Sequence, residues 1–173
     1  MSTKLSISDN FPFPSIETFD TKLSYPLLKT FQDKLLQNVA SVPSPLGGAN
    51  HGHSGLLLPD AEYFRETGHH FVRPVFPGAV PLIPHGTAAL PERNIRADHL
   101  AALQRFQTAN AVENAIRKII NHAIPDDFLE PLKQPITGLS NAGIDTIMAY
   151  LFKTNRKLSS HDLKETRKIA KES

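Results

Sequence analysis

Residues 94–124, which lie in the longest run without proline or glycine, constrain the fold of this chain most. Their large apolar side chains recur mainly at steps of three and four, a spacing that places them on one face of an α-helix. These are Leu100, Leu103, Phe106, Val112, Ile116, Ile119 and Ile120. Asp98 is expected to cap the helix or lie in its first turn, and Pro125 ends it. About 25 helical residues would extend roughly 38 Å, so other helices must cover this stripe.

Other helical segments can supply that cover. Residues 24–39 form an amphipathic pattern in which Ser24 is a suitable N-cap and Pro26 is tolerated in the first turn. Three shorter helices are predicted after the central one, over residues 126–133, 141–154 and 159–171. The last of these would begin with a capping box at Ser159 and has a thin apolar face. The sequence therefore predicts a mostly α-helical bundle around a long central helix.

The region between the first and central helices is rich in proline and glycine. Residues 41–54 cannot form a regular helix, and the glycines around residues 56–58 would suit a tight turn or a small β-hairpin. A short helix is predicted over residues 59–65. Residues 68–93 contain five prolines but are too apolar for a free linker. We expect this segment, which we call the strap, to lie across the helices.

A length of 173 residues fits one domain with arms. We expect a flexible N-terminal arm (1–20), a helical domain (21–155) and a basic C-terminal helix or tail (156–173). The absence of cysteine excludes disulfides, thiolate metal sites and cysteine nucleophiles. No apolar run approaches the ~20 residues that cross a bilayer, and no secretory signal is visible. We therefore expect a cytoplasmic protein with no membrane partner.

Positive charge is concentrated at the C-terminal end, although the net charge is only +2. The candidate nucleic-acid-binding residues there are Lys153, Arg156, Lys157, Lys164, Arg167, Lys168 and Lys171. They could contact phosphate, or they could simply form a solvated helix face. The spacing of Phe152 assigns it to the core, so no aromatic side chain is expected among these cations. Any RNA contact would then be made mainly to phosphate and would weaken with salt.

Histidines are the main candidates for a metal site. His51 and His53 could place two imidazoles on one ion, with His69, His70 or His85 completing the set. However, no carboxylate lies at a diagnostic spacing, and the alternating glycines and histidines are explained equally well by a turn. Phosphate-binding, dinucleotide-binding and nucleophile-elbow motifs are absent. We therefore predict no catalytic residue, no cofactor and no metal, and a metal-dependent enzyme centred on His51 and His53 is the least favoured alternative.

Five segments, in this order, resemble the Gag-like protein of copia-type LTR retrotransposons. They are SYPLLKTFQDKL (24–35), GGANHGHSGLLL (47–58) leading to AEY (61–63), FVRPVFPG (71–78), AVENAI (111–116), and IMAYLF (147–152) followed by LSSHDL (158–163). The resemblance covers roughly residues 20–170. The chain departs from the family in two ways. Residues 154–156 replace the usual Tyr-Gly turn, and the chain ends before the further helical region and zinc knuckle that such proteins often carry.

The resemblance implies a structural function. Gag-like chains self-associate through helical capsid domains into a shell that packages the RNA of the element. This chain would be the N-terminal part of a Gag, either as a fragment or as a truncated copy. We expect it to bind other copies of itself weakly, through apolar positions of the strap and through Leu163 and Ile169 of the last helix. RNA is a candidate partner, and an RNA-binding adaptor that uses the basic tail is the main alternative.

Overall fold

The computed structural model describes residues 16–19, 22–44 and 51–172, and after residue 156 it describes only the side chains of Lys168 and Lys171. Its elements are α1 (Tyr25–Ala40), a 3-10 helix (Ser54–Leu56), α2 (Asp60–Thr67), α3 (Ala89–Ala123), α4 (Asp126–Leu129) followed by a 3-10 helix (Glu130–Leu132), and α5 (Ile144–Glu172). The chain is mostly α-helical around one long helix, as predicted. Within the described ranges, the one β-type pairing is an isolated antiparallel bridge between Gln134 and Gly138.

The start of α1 confirms the predicted cap. The hydroxyl oxygen of Ser24 accepts the N–H of Leu27 at 3.4 Å, and Pro26 lies in the first turn, where no helical hydrogen bond is lost. The apolar stripe of α1 is buried against α5 and the 3-10 helix at residues 54–56. Ile16 and Phe19, from the predicted N-terminal arm, also pack against this core. Residues 1–15 and 20 of that arm lie outside the described residues.

The core is formed where α1, α5 and the second half of α3 meet. Its buried residues include Leu28, Phe31, Leu35 and Val39 of α1, Val112, Ile116 and Ile120 of α3, and Ile144, Ile147, Met148 and Leu151 of α5. Each set repeats at three- and four-residue steps, as one buried helix face requires. Burying a side chain of this kind contributes about 1.5–3 kcal/mol, so packing of the three faces against one another stabilises the bundle.

Helix α3 begins earlier than the sequence pattern predicts. The first backbone hydrogen bond runs from the N–H of Glu92 to the carbonyl of Ala88 at 3.1 Å, and Pro91 lies within the first turn. Proline is accepted there because its missing N–H would have had no helical partner. The prediction that Asp98 starts the helix is wrong, since Asp98 lies in its interior. The predicted end is confirmed, because Ile124 is extended before Pro125.

The chain after residue 143 forms one helix rather than two. α5 continues through the Thr154-Asn155-Arg156 segment, so the predicted break and the capping box at Ser159 are wrong. No proline or glycine occurs from Ile144 to Glu172, and nothing therefore forces the backbone out of helical geometry. Asn155 is buried, and its side-chain amide donates to the carbonyl of Leu151 at 2.8 Å. The amide thus bonds back along the helix instead of opening a turn.

The predicted β-hairpin near residues 56–58 is also wrong. Leu56, Leu57 and Leu58 are all buried. The N–H groups of Leu56 and Leu57 donate to the carbonyls of His53 and Ser54 in 3-10 geometry, and that of Leu58 donates to the carbonyl of Ser54, four residues back. An alternating strand could not bury three successive side chains against a single core face. The adjacent Gly55 is required for space, because a Cβ at this position would lie 2.1 Å from the ring of Phe71.

The strap begins after α2, which ends at Gly68 in left-handed geometry, with φ of 74°. It runs without helix to residue 88, five residues short of the predicted boundary. Phe71 packs on Tyr63 and on the core at the start of the strap. Further along, the strap contacts α3 as predicted. The ring of Phe76 lies 5.5 Å from that of Phe106 between centroids.

Candidate functional site

A long segment of the chain adds no buried residue to the core, although its Phe71 packs against it. No residue from Phe64 to Thr108 is buried, and the first buried residue of α3 is Ala109. This segment includes the end of α2, the whole strap and the first part of α3, residues 89–108, which we call the outer half of α3. The outer half would extend about 30 Å at 1.5 Å per residue. It lies beyond the part of α3 that the bundle covers.

Large apolar side chains are exposed along this segment. Of the eleven exposed large hydrophobic residues among those described, seven lie between residues 72 and 100. We call them the strap surface: Val72, Val75, Phe76, Val80, Leu82, Leu90 and Leu100. Leu82 is 98% exposed, so it has almost no contact within the chain. Several large apolar side chains exposed on one segment of a folded protein indicate an interaction site.

The strap is nevertheless held in place along the outer half of α3. The ring Nε2 of His99 lies 3.0 Å from the carbonyl oxygen of Gly78, in addition to the contact between Phe76 and Phe106. The apolar side chains therefore project from an ordered support rather than from a free loop. Charge there is mixed, because Glu92 pairs with Arg96 at 3.0 Å and the same part of the helix also carries Arg93 and Asp98.

A buried carboxylate anchors the strap near its start. Glu113 of α3, whose side chain is 3% exposed, pairs with Arg73 of the strap and with Arg117 one turn further along α3. Arg117 also donates to the carbonyl of Ala142, at 2.9 Å from Nη2 and 3.1 Å from Nε. One acid thus links the strap, α3 and the loop before α5. This arrangement satisfies both carboxylate oxygens of a buried charge.

The basic residues of the C-terminal region share one helix face. At 3.6 residues per turn, the seven predicted positions from Lys153 to Lys171 fall within a sector of about 120° on α5, and the buried positions Ile144, Ile147 and Leu151 fall on the opposite side. The side chains of Lys153, Arg156, Lys168 and Lys171 are exposed. Those of Lys157, Lys164 and Arg167, and of the predicted contacts Leu163 and Ile169, lie outside the described residues. We call the seven positions the cationic stripe.

A cleft of about 750 Å³ opens beside the start of the cationic stripe, between α1 and α5. The Tyr25 ring lies 5.5 Å from that of Phe152, and the guanidinium of Arg156 lies 5.7 Å from the centre of the Tyr25 ring. Lys29 and Lys153 also line the cleft. Sequence reasoning missed Tyr25 and Lys29, because no local pattern connects the start of α1 with the middle of α5.

Two acids face the same cleft. Glu62 lies 3.7 Å from Arg65, which offsets its charge. Asp145 lies in the first turn of α5, about three turns from Arg156. The cleft is therefore mixed in charge, and its cations and aromatic rings meet at the end where the cationic stripe begins. A shallower cleft of about 500 Å³ contains Lys133, but hydrogen bonds from this lysine to Asp126 and Glu130 raise its pKa and hold its charge in place.

The histidines do not converge. His53 is buried and its Nε2 donates to the carbonyl of Pro43 at 3.4 Å, whereas His51 is exposed. Burial lowers the pKa of His53 below 6.5, an effect that the hydrogen bond to Pro43 opposes. His70 pairs with Asp60 at 2.8 Å, and this hydrogen bond lowers the pKa of Asp60. Across the described ranges, no three His, Asp or Glu side chains come close enough to hold a metal ion.

Comparison with family models, curated proteins and solved structures gives no match. In the part of the chain that the structure describes, no helix is both long and apolar enough to cross a membrane.

Proposed function

We propose that this protein is a non-enzymatic structural protein that self-associates through the strap surface, as a Gag-like capsid protein would, in the cytoplasm. The observation that carries the proposal is the segment 64–108. It is supported along α3 and anchored by Glu113, yet it buries no residue and exposes eight large apolar side chains, seven of them in the strap surface. Covering apolar surface of this kind with a second surface removes it from water and lowers the free energy.

The charge of this segment favours a second copy as the partner. A surface that packs on its own copy brings identical charges close together, and a strongly charged surface would repel itself. From residue 74 to residue 108 there are two acids and three arginines, and one acid is already paired with one arginine. Apolar contact can therefore dominate. Each contact would be weak alone and become strong when many copies assemble.

Mass measured by light scattering after size exclusion, over a concentration series, tests this proposal. The informative variant carries Val75→Asp and Leu82→Asp, since both side chains are largely exposed and their replacement removes little packing. Ile136→Asp is the matched control, because Ile136 is 97% exposed but lies outside the strap surface. We expect the mass of the wild type and the control to rise with protein concentration, and that of the variant to remain near the monomer.

Salt separates apolar association from charge-driven association. Because the strap surface is apolar, we expect association to persist when the salt concentration is raised, whereas contacts between exposed charges would weaken. A wild-type chain that stays monomeric throughout the series would contradict the proposal. Equal association by the wild type and the Val75→Asp, Leu82→Asp variant would contradict the role of the strap surface.

RNA binding is a second candidate function, and the cationic stripe favours it. Had the last two helices been separate, the seven basic positions could have faced in different directions. One uninterrupted α5 instead aligns them over about 27 Å, from Lys153 to Lys171. Such a stripe can follow a phosphate backbone. In a Gag-like protein the two functions would act together, with the strap surface joining copies and α5 holding the packaged RNA.

A further inference from the structure

We infer that the cleft between α1 and α5 binds a base of single-stranded RNA whose phosphates follow the cationic stripe. This inference rests on the RNA-binding function proposed above and assigns it a base-binding site. Sequence reasoning allowed only phosphate contacts, because no aromatic residue was expected among the cations. The fold supplies one by placing Tyr25 of α1 beside Phe152 and Arg156 of α5.

The chemistry of the cleft suits a nucleotide unit. A base presents a flat aromatic face, and tyrosine rings and arginine guanidinium groups both stack on such faces. Tyr25 is 40% exposed, so part of its ring remains accessible beside Arg156. Lys153, one turn before Arg156, is exposed at the same end of the cleft and can pair with phosphate. A volume of about 750 Å³ lies within the usual range for small-molecule pockets.

The surrounding charges favour a polymer over a free nucleotide. Lys29 forms an ion pair with Asp33 at 3.6 Å, and two acids, Glu62 and Asp145, line the cleft. The cleft itself therefore carries little net positive charge. A free nucleotide would bring its full phosphate charge to this mixed site. An RNA strand can instead place one base in the cleft and its next phosphates beyond Arg156, where Lys168 and Lys171 are exposed on the same stripe.

Fluorescence anisotropy can separate base stacking from phosphate contact. The probes are an oligouridylate of about 12 nucleotides, within the usual site size for single-stranded binding, and an abasic ribose-phosphate strand of equal length. Loss of one base–aromatic stack should weaken binding by about tenfold. We therefore expect Tyr25→Ala to weaken oligouridylate binding by that factor and to leave binding of the abasic strand unchanged. Tyr25→Phe keeps the ring and should bind like the wild type.

Phe64→Ala provides the matched control. Phe64 is 44% exposed, about as much as Tyr25, but it stacks on His70 away from the cleft. We expect no change in the affinity of this variant for either strand. An equal loss of affinity for both strands in Tyr25→Ala, or no loss for either, would overturn the base site. Binding of uridine monophosphate as tight as that of the oligouridylate would overturn the assignment to RNA.

Photocrosslinking of the unaltered protein gives a test that does not depend on folding of a variant. An oligouridylate that carries a photoreactive base should crosslink to Tyr25 or Phe152, identified by mass spectrometry. Crosslinks confined to other parts of the chain would overturn the inference. The Tyr25→Ala variant also separates this inference from self-association. Without RNA, its mass should rise with protein concentration as we expect for the wild type.

Discussion

The buried carboxylate of Glu113 pairs with the guanidinium of Arg73, forty residues earlier in the chain. Arg117 binds the same carboxylate at 2.8 Å and continues to the carbonyl of Ala142. The strap has few backbone hydrogen bonds of its own among the described residues, so this ion pair and the packing of Phe71 hold it at the edge of the bundle. The position of the strap surface therefore depends on a charge that lies at the edge of the core.

Loss of the carboxylate should destabilise the bundle more than loss of the strap arginine. We expect Glu113→Gln to lower the free energy of unfolding by about 2–4 kcal/mol, because it leaves the largely buried Arg117 without its acid. Arg73→Met should cost about 1 kcal/mol or less, because Arg73 is half exposed and screened by solvent. Urea unfolding followed by circular dichroism measures both. Glu92→Gln, which breaks an exposed pair on the same helix, is the control and should cost about 0.5 kcal/mol or less.

The close approach of Gly55 to Phe71 should make a single methyl group destabilising. A Cβ at residue 55 would lie 2.1 Å from the Phe71 ring, so Gly55→Ala must displace that ring from Tyr63 and from the core. We expect a loss of about 1–3 kcal/mol in the free energy of unfolding. In a Phe71→Ala background the ring contacts are removed and the contact with the Cβ of residue 71, at 2.7 Å, remains, so Gly55→Ala should cost less than in the wild type. A double-mutant cycle that gave additive effects would show that the ring is not the obstacle.

The burial of His53 predicts a loss of stability in mild acid. The folded state lowers the pKa of this histidine below 6.5, so the unfolded chain binds a proton more readily. Its contribution to stability is therefore complete above pH 6.5 and falls as the pH drops below that value, by at most about 1.4 kcal/mol per pH unit. Thermal unfolding from pH 7.5 to pH 5.5 should show a smaller decline for His53→Gln than for the wild type. His51→Gln, at an exposed position, should decline like the wild type; an unchanged profile for His53→Gln would contradict the prediction.

The far end of the cationic stripe should control the salt dependence of RNA binding. Lys168 and Lys171 are exposed on α5, well beyond the cleft. If both contact phosphates, the Lys168→Ala, Lys171→Ala variant should reduce the slope of log affinity against log salt by about 1.4, close to 0.7 for each phosphate contact on single strands. Binding of oligouridylate at several salt concentrations measures that slope. Lys118→Ala, which removes an exposed lysine from α3, should leave the slope unchanged. A wild-type slope for the Lys168→Ala, Lys171→Ala variant would contradict a contact between α5 and the RNA.

Local sequence signals predicted the elements that depend on local chemistry. The three- and four-residue spacing from Leu100 to Ile120 located the central helix, and Pro125 marked its end. The Ser24 cap and the first-turn position of Pro26 located the start of α1. Each of these signals acts within one or two helical turns and can therefore be read without knowing which segments meet in space. The same local reasoning placed the start of α3 at Asp98 and split α5, because a favourable cap residue suggests a boundary even where no proline or glycine interrupts the helix.

The sequence by itself determined the helical class of the chain, its apolar faces, its proline-rich strap and the concentration of lysine and arginine near its C-terminal end. Only the tertiary structure decided that Tyr25 lies against Phe152 and Arg156, that Arg73 reaches Glu113, and that no other helix covers the outer half of α3. These relationships join positions far apart in the chain, and side-chain spacing carries no information about which distant partner a face will meet. Packing in three dimensions selects those partners, and the surfaces that it leaves exposed are those for which we propose partners outside the chain.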